Sequence, residues 1–183
     1  TDKEKIGKKP LEDMVLGIPS EYLKAIYSQD VALAFQESIR TYEKLGATVK
    51  EVSLPHANHS VAAYYVIAPA EASSNLSRFD GVKFGFRNSH AKTLDELYFG
   101  TRSEGFGEEV KRRILVGTFV LSHGYYDAYY NQASKVRRLV LGDFKAVFEG
   151  CDFLLSPSSP VLAWDVDAKP DFGINFNAPE GVP

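Results

Sequence analysis

Apolar positions in this chain follow two rhythms, one of strands and one of helices. Met14-Val-Leu-Gly-Ile18 is a short unbroken apolar run halted at Pro19, the mark of a buried strand. Val31, Phe35, Ile39 and Tyr42 then recur at helical spacing, with Asp30 placed to cap the first turn and Gly46 to end the segment. Residues 48–54 alternate as a strand does, and Pro55 stops them. Strand, helix and strand in so short a span predict a βαβ unit with a parallel pair and a right-handed crossover.

Past Pro55 the helical rhythm takes over. Residues 60–76 read as helix around Pro69, which predicts a kink or two abutting helices. Residues 79–93 are rich in Gly, Asn and Ser and read as loop. Three helices follow over 94–104, 108–122 and 126–148, parted by Gly105, Gly107 and Gly124. Residues 152–156 return as a buried strand ended by Pro157, and beyond Pro160 no period survives. The expected organisation is an extension over 1–13, a partial domain over 14–160 and an irregular tail over 161–183.

Composition narrows the function more than the fold. A net charge of −3 gives no general pull on phosphate backbones, so any RNA contact has to be local or made through a partner. The one cysteine, Cys151, excludes an internal disulfide and a multi-cysteine metal site. No apolar run approaches the roughly 18 residues that cross a bilayer. The charged first ten residues lack the apolar core of a secretory leader. The expected location is the cytoplasm, or an organelle matrix in a eukaryote, with no membrane partner.

Two side chains stand out as candidates for binding. On a helix starting near Glu108, Arg113 shares a side with Val110, Val116, Gly117 and Val120. An arginine on an apolar stripe requires an anion, because a buried unpaired guanidinium is costly. Two readings stay open: an ion pair with Glu71, Asp80 or Asp127, or a carboxylate ligand gripped by the planar fork. Tyr64 shares a face with Ala68, Glu71 and Asn75, and its phenol suits either a satisfied core position or a ligand contact.

Other clusters promise less. His56 and His59 lie three apart, yet no HExxH or acidic cluster accompanies them, which argues against a metal site. Tyr125, Tyr126, Tyr129 and Tyr130 pair on adjacent turns, as packing between helices requires; a base-stacking surface is the rival reading. Ser156-Pro-Ser-Ser-Pro160 lacks the glycine setting of a nucleophile elbow, and no phosphate-cradling loop occurs. No catalytic centre can be assembled from these residues.

Several blocks nonetheless resemble the amidase signature family. They are Leu16-Gly-Ile-Pro-Ser-Glu-Tyr22, Glu51-Val-Ser-Leu-Pro55, the run from Tyr64 through Ala72-Ser-Ser-Asn-Leu-Ser-Arg-Phe-Asp-Gly81, Thr101 through Arg113, Gly124 through Tyr130, Lys135-Val-Arg137 and Ser156-Pro157. The Ala-Ser-Ser-Asn-Leu and Arg-Ser-Glu-Gly-Phe-Gly runs are most like the branch that hydrolyses glutamine within tRNA-dependent amidotransferases. The resemblance implies an α/β fold, part of an α/β/α layered structure around a mixed sheet, with this chain mostly helical beside its βαβ unit.

It further implies attack by a serine on the glutamine amide, with a second serine and a lysine managing protons. The released ammonia amidates mischarged glutamyl-tRNA on a partner subunit that uses ATP and magnesium. The Gly/Ser-rich segment carrying those serines has no counterpart here. The chain is therefore expected to be a later-half fragment, with no catalytic residue or cofactor of its own and no activity alone. By the match of blocks, Tyr64 and Arg113 resemble the family's glutamine-binding tyrosine and arginine. The implied partners are glutamine, the other amidotransferase subunits and, through them, tRNA. The acid for the glutamine amine has no match after Pro160. Two alternatives are a non-catalytic helical interaction module and a fragment of a general amide hydrolase.

Overall fold

Leu16, Gly17, Ile18 and Pro19 are all buried, as a strand with neighbours on both edges requires. They belong to β1 (Val15–Pro19), the middle strand of a parallel sheet in which β2 (Thr48–Val52) and β3 (Phe153–Leu154) flank it. Leu16 lies opposite Phe153 and Gly17 opposite Leu154 in the parallel β1–β3 pair. Asp152 secures that register twice: its Oδ2 accepts from the Val15 amide at 2.8 Å, and its own amide donates to the Val15 carbonyl at 2.9 Å. A computed structural model describes residues 9–26 and 28–163. These form two compact units, one of residues up to Glu51 with those from Cys151 onward, the other Val52–Gly150. The tail expected beyond residue 163 and the extension before residue 9 lie outside the described residues.

In the first unit, β1 passes into the short α1 (Ser20–Lys24), and α2 (Gln29–Lys44) crosses over to β2. The expected stripe is the covered side of α2, with Phe35 buried and Val31, Ile39 and Tyr42 half-buried. Ser28, not Asp30, caps this helix, its Oγ accepting from the Val31 amide at 3.5 Å. Asp30 falls inside the first turn, where its charge still favours the helix dipole. Gly46, at φ +107°, makes the left-handed turn that releases the chain into β2. The buried strand expected over 152–156 is shorter and more open, since Phe153 is half exposed at the sheet edge.

The second unit is helical. A 3-10 turn (Ala57–His59) leads into α3 (Ser60–Asn75), which packs against α5 (Glu108–Val120) and α6 (Gln132–Phe148). Ala63, Ile67 and Ala133 form the core, with Val66, Tyr130 and Val136 packed around them. Of the kink or two abutting helices expected around Pro69, the second does not occur, since α3 continues through it. A 3-10 turn (Leu76–Arg78) ends α3, and a loop leads to α4 (Leu94–Gly105). Thr93 caps α4 by accepting from the Glu96 amide at 3.2 Å. The helix expected over 126–148 begins as a π-helical turn (Tyr126–Asn131) before α6 proper.

Candidate functional site

On α5, residues 113, 117 and 120 recur at one helical turn each, and Gly117 and Val120 are buried. Val110 and Val116 sit about 60° to either side of Arg113 and are exposed, so the expected apolar stripe is narrower than the spacing suggested. Arg113 follows the stripe with its stem and brings its head to the rim, where the side chain stays 40% exposed. It is therefore not the buried arginine that the apolar spacing predicts.

At that rim Arg113 meets Tyr64, which α3 presents from 49 positions earlier. Arg113 Nη1 donates to Tyr64 Oη at 3.4 Å, and Nε donates to Glu109 Oε1 at 3.0 Å. The Tyr64 hydroxyl, and after it Glu109, hold the guanidinium proton more firmly than an ordinary arginine holds its own. Nη2 has no hydrogen-bond partner among the described residues. The anion is thus Glu109, one turn back on the same helix, rather than Glu71, Asp80 or Asp127. Glu71 faces Arg137 at 3.9 Å, Asp80 accepts from the Val82 amide at 2.8 Å, and Asp127 accepts from Asn131 at 2.5 Å. An exposed i,i+4 pair of this kind adds little stability.

Tyr64 also borders a groove of about 280 Å³ between α3 and α6, floored by Ala63, Ile67 and Val140 and closed at one side by Glu71 and Arg137. A wider hollow of about 710 Å³ runs past Asp127, Asn131, Lys135 and Arg138, and neither candidate residue lines it.

The two most distinctive sequence blocks lock onto each other. Arg102 Nη1 donates to the Leu76 carbonyl at 2.9 Å and the Phe79 carbonyl at 3.3 Å, capping the end of α3 from α4. Its guanidinium carbon lies 5.1 Å from the centroid of the Phe106 ring. Thr101, almost fully buried, accepts from the Asn88 amide at 3.0 Å, and Asn88 Nδ2 reaches Glu104 at 2.8 Å. The 79–93 loop is in this way fastened along α4.

The remaining candidates take structural roles. His56 does not share a site with His59: its Nδ1 pairs with Asp143 Oδ1 at 2.8 Å, and its amide donates to Asp143 Oδ2 at 2.8 Å. Burial opposes ionisation of Asp143, but the His56 ring and amide outweigh it and hold that carboxyl below the ordinary value of 3.8. Among the described residues no three metal-ligating side chains gather. Tyr130 joins the core as expected, whereas Tyr125, Tyr126 and Tyr129 are more than 40% exposed; Tyr125 and Tyr129 stack on each other beside Phe119, and Tyr126 stacks on Tyr130. The hydroxyls of Ser73, Ser77 and Ser122 each donate to a carbonyl three residues back. Sequence reasoning missed Glu109, which its spacing from Arg113 could have revealed, and Asp143, which nothing local marks.

Comparison with known proteins agrees with this frame. A family model described as Amidase matches residues 2–175. The glutamyl-tRNA(Gln) amidotransferase A-subunit of Burkholderia mallei (strain SAVP1) is 56% identical over 163 residues, which are 89% of this chain and 33% of that protein. The protein of the same name from Burkholderia thailandensis matches to the same extent. The crystal structure of the glutamyl-tRNA(Gln) amidotransferase A-subunit from Thermotoga maritima is similar at a TM-score of 0.59 and 38% identity, covering 90% of this chain and 31% of that one. An amidase crystal structure at 22% identity has the same fold over 89% of this chain and 32% of its own, with a TM-score of 0.63. The chain thus spans about a third of the length of the curated relatives it matches. No helix among the described residues is long and apolar enough to cross a membrane.

Proposed function

The chain belongs to the amidase family, and from that premise we propose that it supplies the substrate-recognising side of a glutamine-hydrolysing amidotransferase subunit. The observation that carries this reading is the meeting of Tyr64 and Arg113 across α3 and α5, at 3.4 Å. Arg113 offers Nη2 and the outer side of Nη1 to the α-carboxylate of glutamine. Tyr64 accepts from Arg113, so its own O–H is left to donate to the same carboxylate. Glu109 orients the guanidinium through Nε without occupying the fork.

In this reading the nucleophile and its proton-managing lysine belong to the larger part of such a protein that this chain does not match. The ammonia serves amidation of mischarged glutamyl-tRNA on a partner subunit, where ATP and magnesium act. The chain itself orients the amino-acid end of glutamine and needs no cofactor.

The test is glutaminase kinetics of the full-length protein in complex with its partners. Arg113→Ala is expected to raise the glutamine KM at least about tenfold, because a charge-assisted pair to the substrate is lost. The effect on kcat is expected to be smaller, since the contact is made in ground and transition states alike. An unchanged KM returns Arg113 to the role of a helix-surface ion pair. Measurable turnover by the 183-residue chain alone would contradict the division of labour.

A further inference from the structure

We infer that Gly117 is a positioning residue for the Tyr64–Arg113 pair, because it sets how closely α5 approaches α3. This deepens the proposed function and rests on it. A Cβ placed on Gly117 would stand 1.9 Å from the Pro69 carbonyl oxygen, 2.5 Å from its carbonyl carbon and 2.9 Å from Ser73 Cβ. Two of these three neighbours are backbone, so no rotamer change relieves the overlap. The hydrogen that replaces that Cβ points at the Pro69 carbonyl, the arrangement of a Cα–H···O contact between close helices.

The contact is placed where it governs the site. Gly117 lies about one turn beyond Arg113 on α5, and Pro69 lies five residues beyond Tyr64 on α3. To reach ordinary van der Waals contact at 3.4 Å, the two backbones have to part by about 1.5 Å at this point. The Arg113–Tyr64 bond is already 3.4 Å long, so a displacement of that size ends it. Ser73, buried with its hydroxyl turned back onto the Ala70 carbonyl, fills the other side of the contact and leaves no slack.

The experiment uses the full-length protein with its partners, comparing Gly117→Ala, Arg113→Ala and the double variant. Gly117→Ala is expected to raise the glutamine KM about three- to tenfold while kcat per folded enzyme changes less. In the double variant KM is expected to match Arg113→Ala alone, because both changes remove one interaction. Multiplicative effects, or an unchanged KM in Gly117→Ala, overturn the inference.

If Gly117→Ala does not fold, Ser73→Thr presses on the same contact more gently, and the same smaller rise in KM is expected; none refutes it. Should Arg113→Ala itself leave KM unchanged, the substrate reading fails and positioning is judged separately. The unfolding double-mutant cycle of Tyr64→Phe with Arg113→Ala then has to show coupling with Gly117 present and none in a Gly117→Ala background or, where that does not fold, a Ser73→Thr one. Equal coupling in both backgrounds refutes positioning.

Discussion

Removing the Asp143 carboxylate tests how the entry to α3 is held. Asp143 projects from α6 with its side chain only 9% exposed, and both its oxygens are taken by His56, 87 positions earlier. Asp143→Ala leaves the His56 amide without its acceptor and removes a charge-assisted bond to the ring. A buried hydrogen bond to a charged group contributes about 1.5–3 kcal/mol net. The His56 ring is 40% exposed, which discounts its share, and we expect a local cost of about 2–3 kcal/mol. Hydrogen exchange at the His56 amide, measured in the full-length protein, reads this directly. Protection should fall about 30- to 150-fold, with the first turn of α3 loosened alongside. Asp143→Asn keeps one acceptor and should lose less.

The sign with pH follows from the same geometry. The folded carboxyl ionises below its ordinary value of 3.8, so its stabilisation is complete above that value and is lost as the pH falls through the lower folded value. The difference between wild type and Asp143→Asn should therefore shrink as the pH falls below about 4. Exchange at His56 unchanged within about threefold in Asp143→Ala would refute the reasoning.

Two further outcomes test the lock between the sequence blocks. Arg102→Ala removes the cap on the Leu76 and Phe79 carbonyls and the stacking on Phe106, and should destabilise by about 1–3 kcal/mol in urea unfolding. Arg102→Lys should recover less than half, since a point charge cannot span both carbonyls and cover the ring. Gly81→Ala forces a side chain onto φ +75° and brings Cβ within 2.8 Å of Thr101 Oγ1. It should cost about 1–3 kcal/mol and raise proteolytic cleavage within 79–93; unaltered cleavage would show that the loop is not held by this contact.

Where a residue's partner lies within a turn or two of chain, the sequence was the better guide, although Glu109, one turn from Arg113, was missed. The α2 stripe of Val31, Phe35, Ile39 and Tyr42 is its covered face, and the apolar run of β1 is buried on both sides. At Pro69 one of the two alternatives fell: α3 is not divided there, because proline propensity describes an isolated helix, whereas α3 packs against α5 and α6. At the tyrosines, spacing pairs Tyr125 with Tyr129 and Tyr126 with Tyr130, but does not say that of the four Tyr130 alone packs on the core. At Arg113 the stripe was read about 60° too wide on each side, since period alone does not say where a neighbouring helix ends.

By itself, then, the order of residues determined most of the elements and the family, and singled out Tyr64 and Arg113 as candidates, because these depend on local spacing and on recognisable blocks. The fold decided what distance along the chain conceals. It brought Tyr64 to Arg113, set Asp143 under His56 and pressed Gly117 against the Pro69 carbonyl. Each is a contact whose strength depends on tenths of an ångström between backbones, and no pattern along a single strand of sequence encodes such a separation.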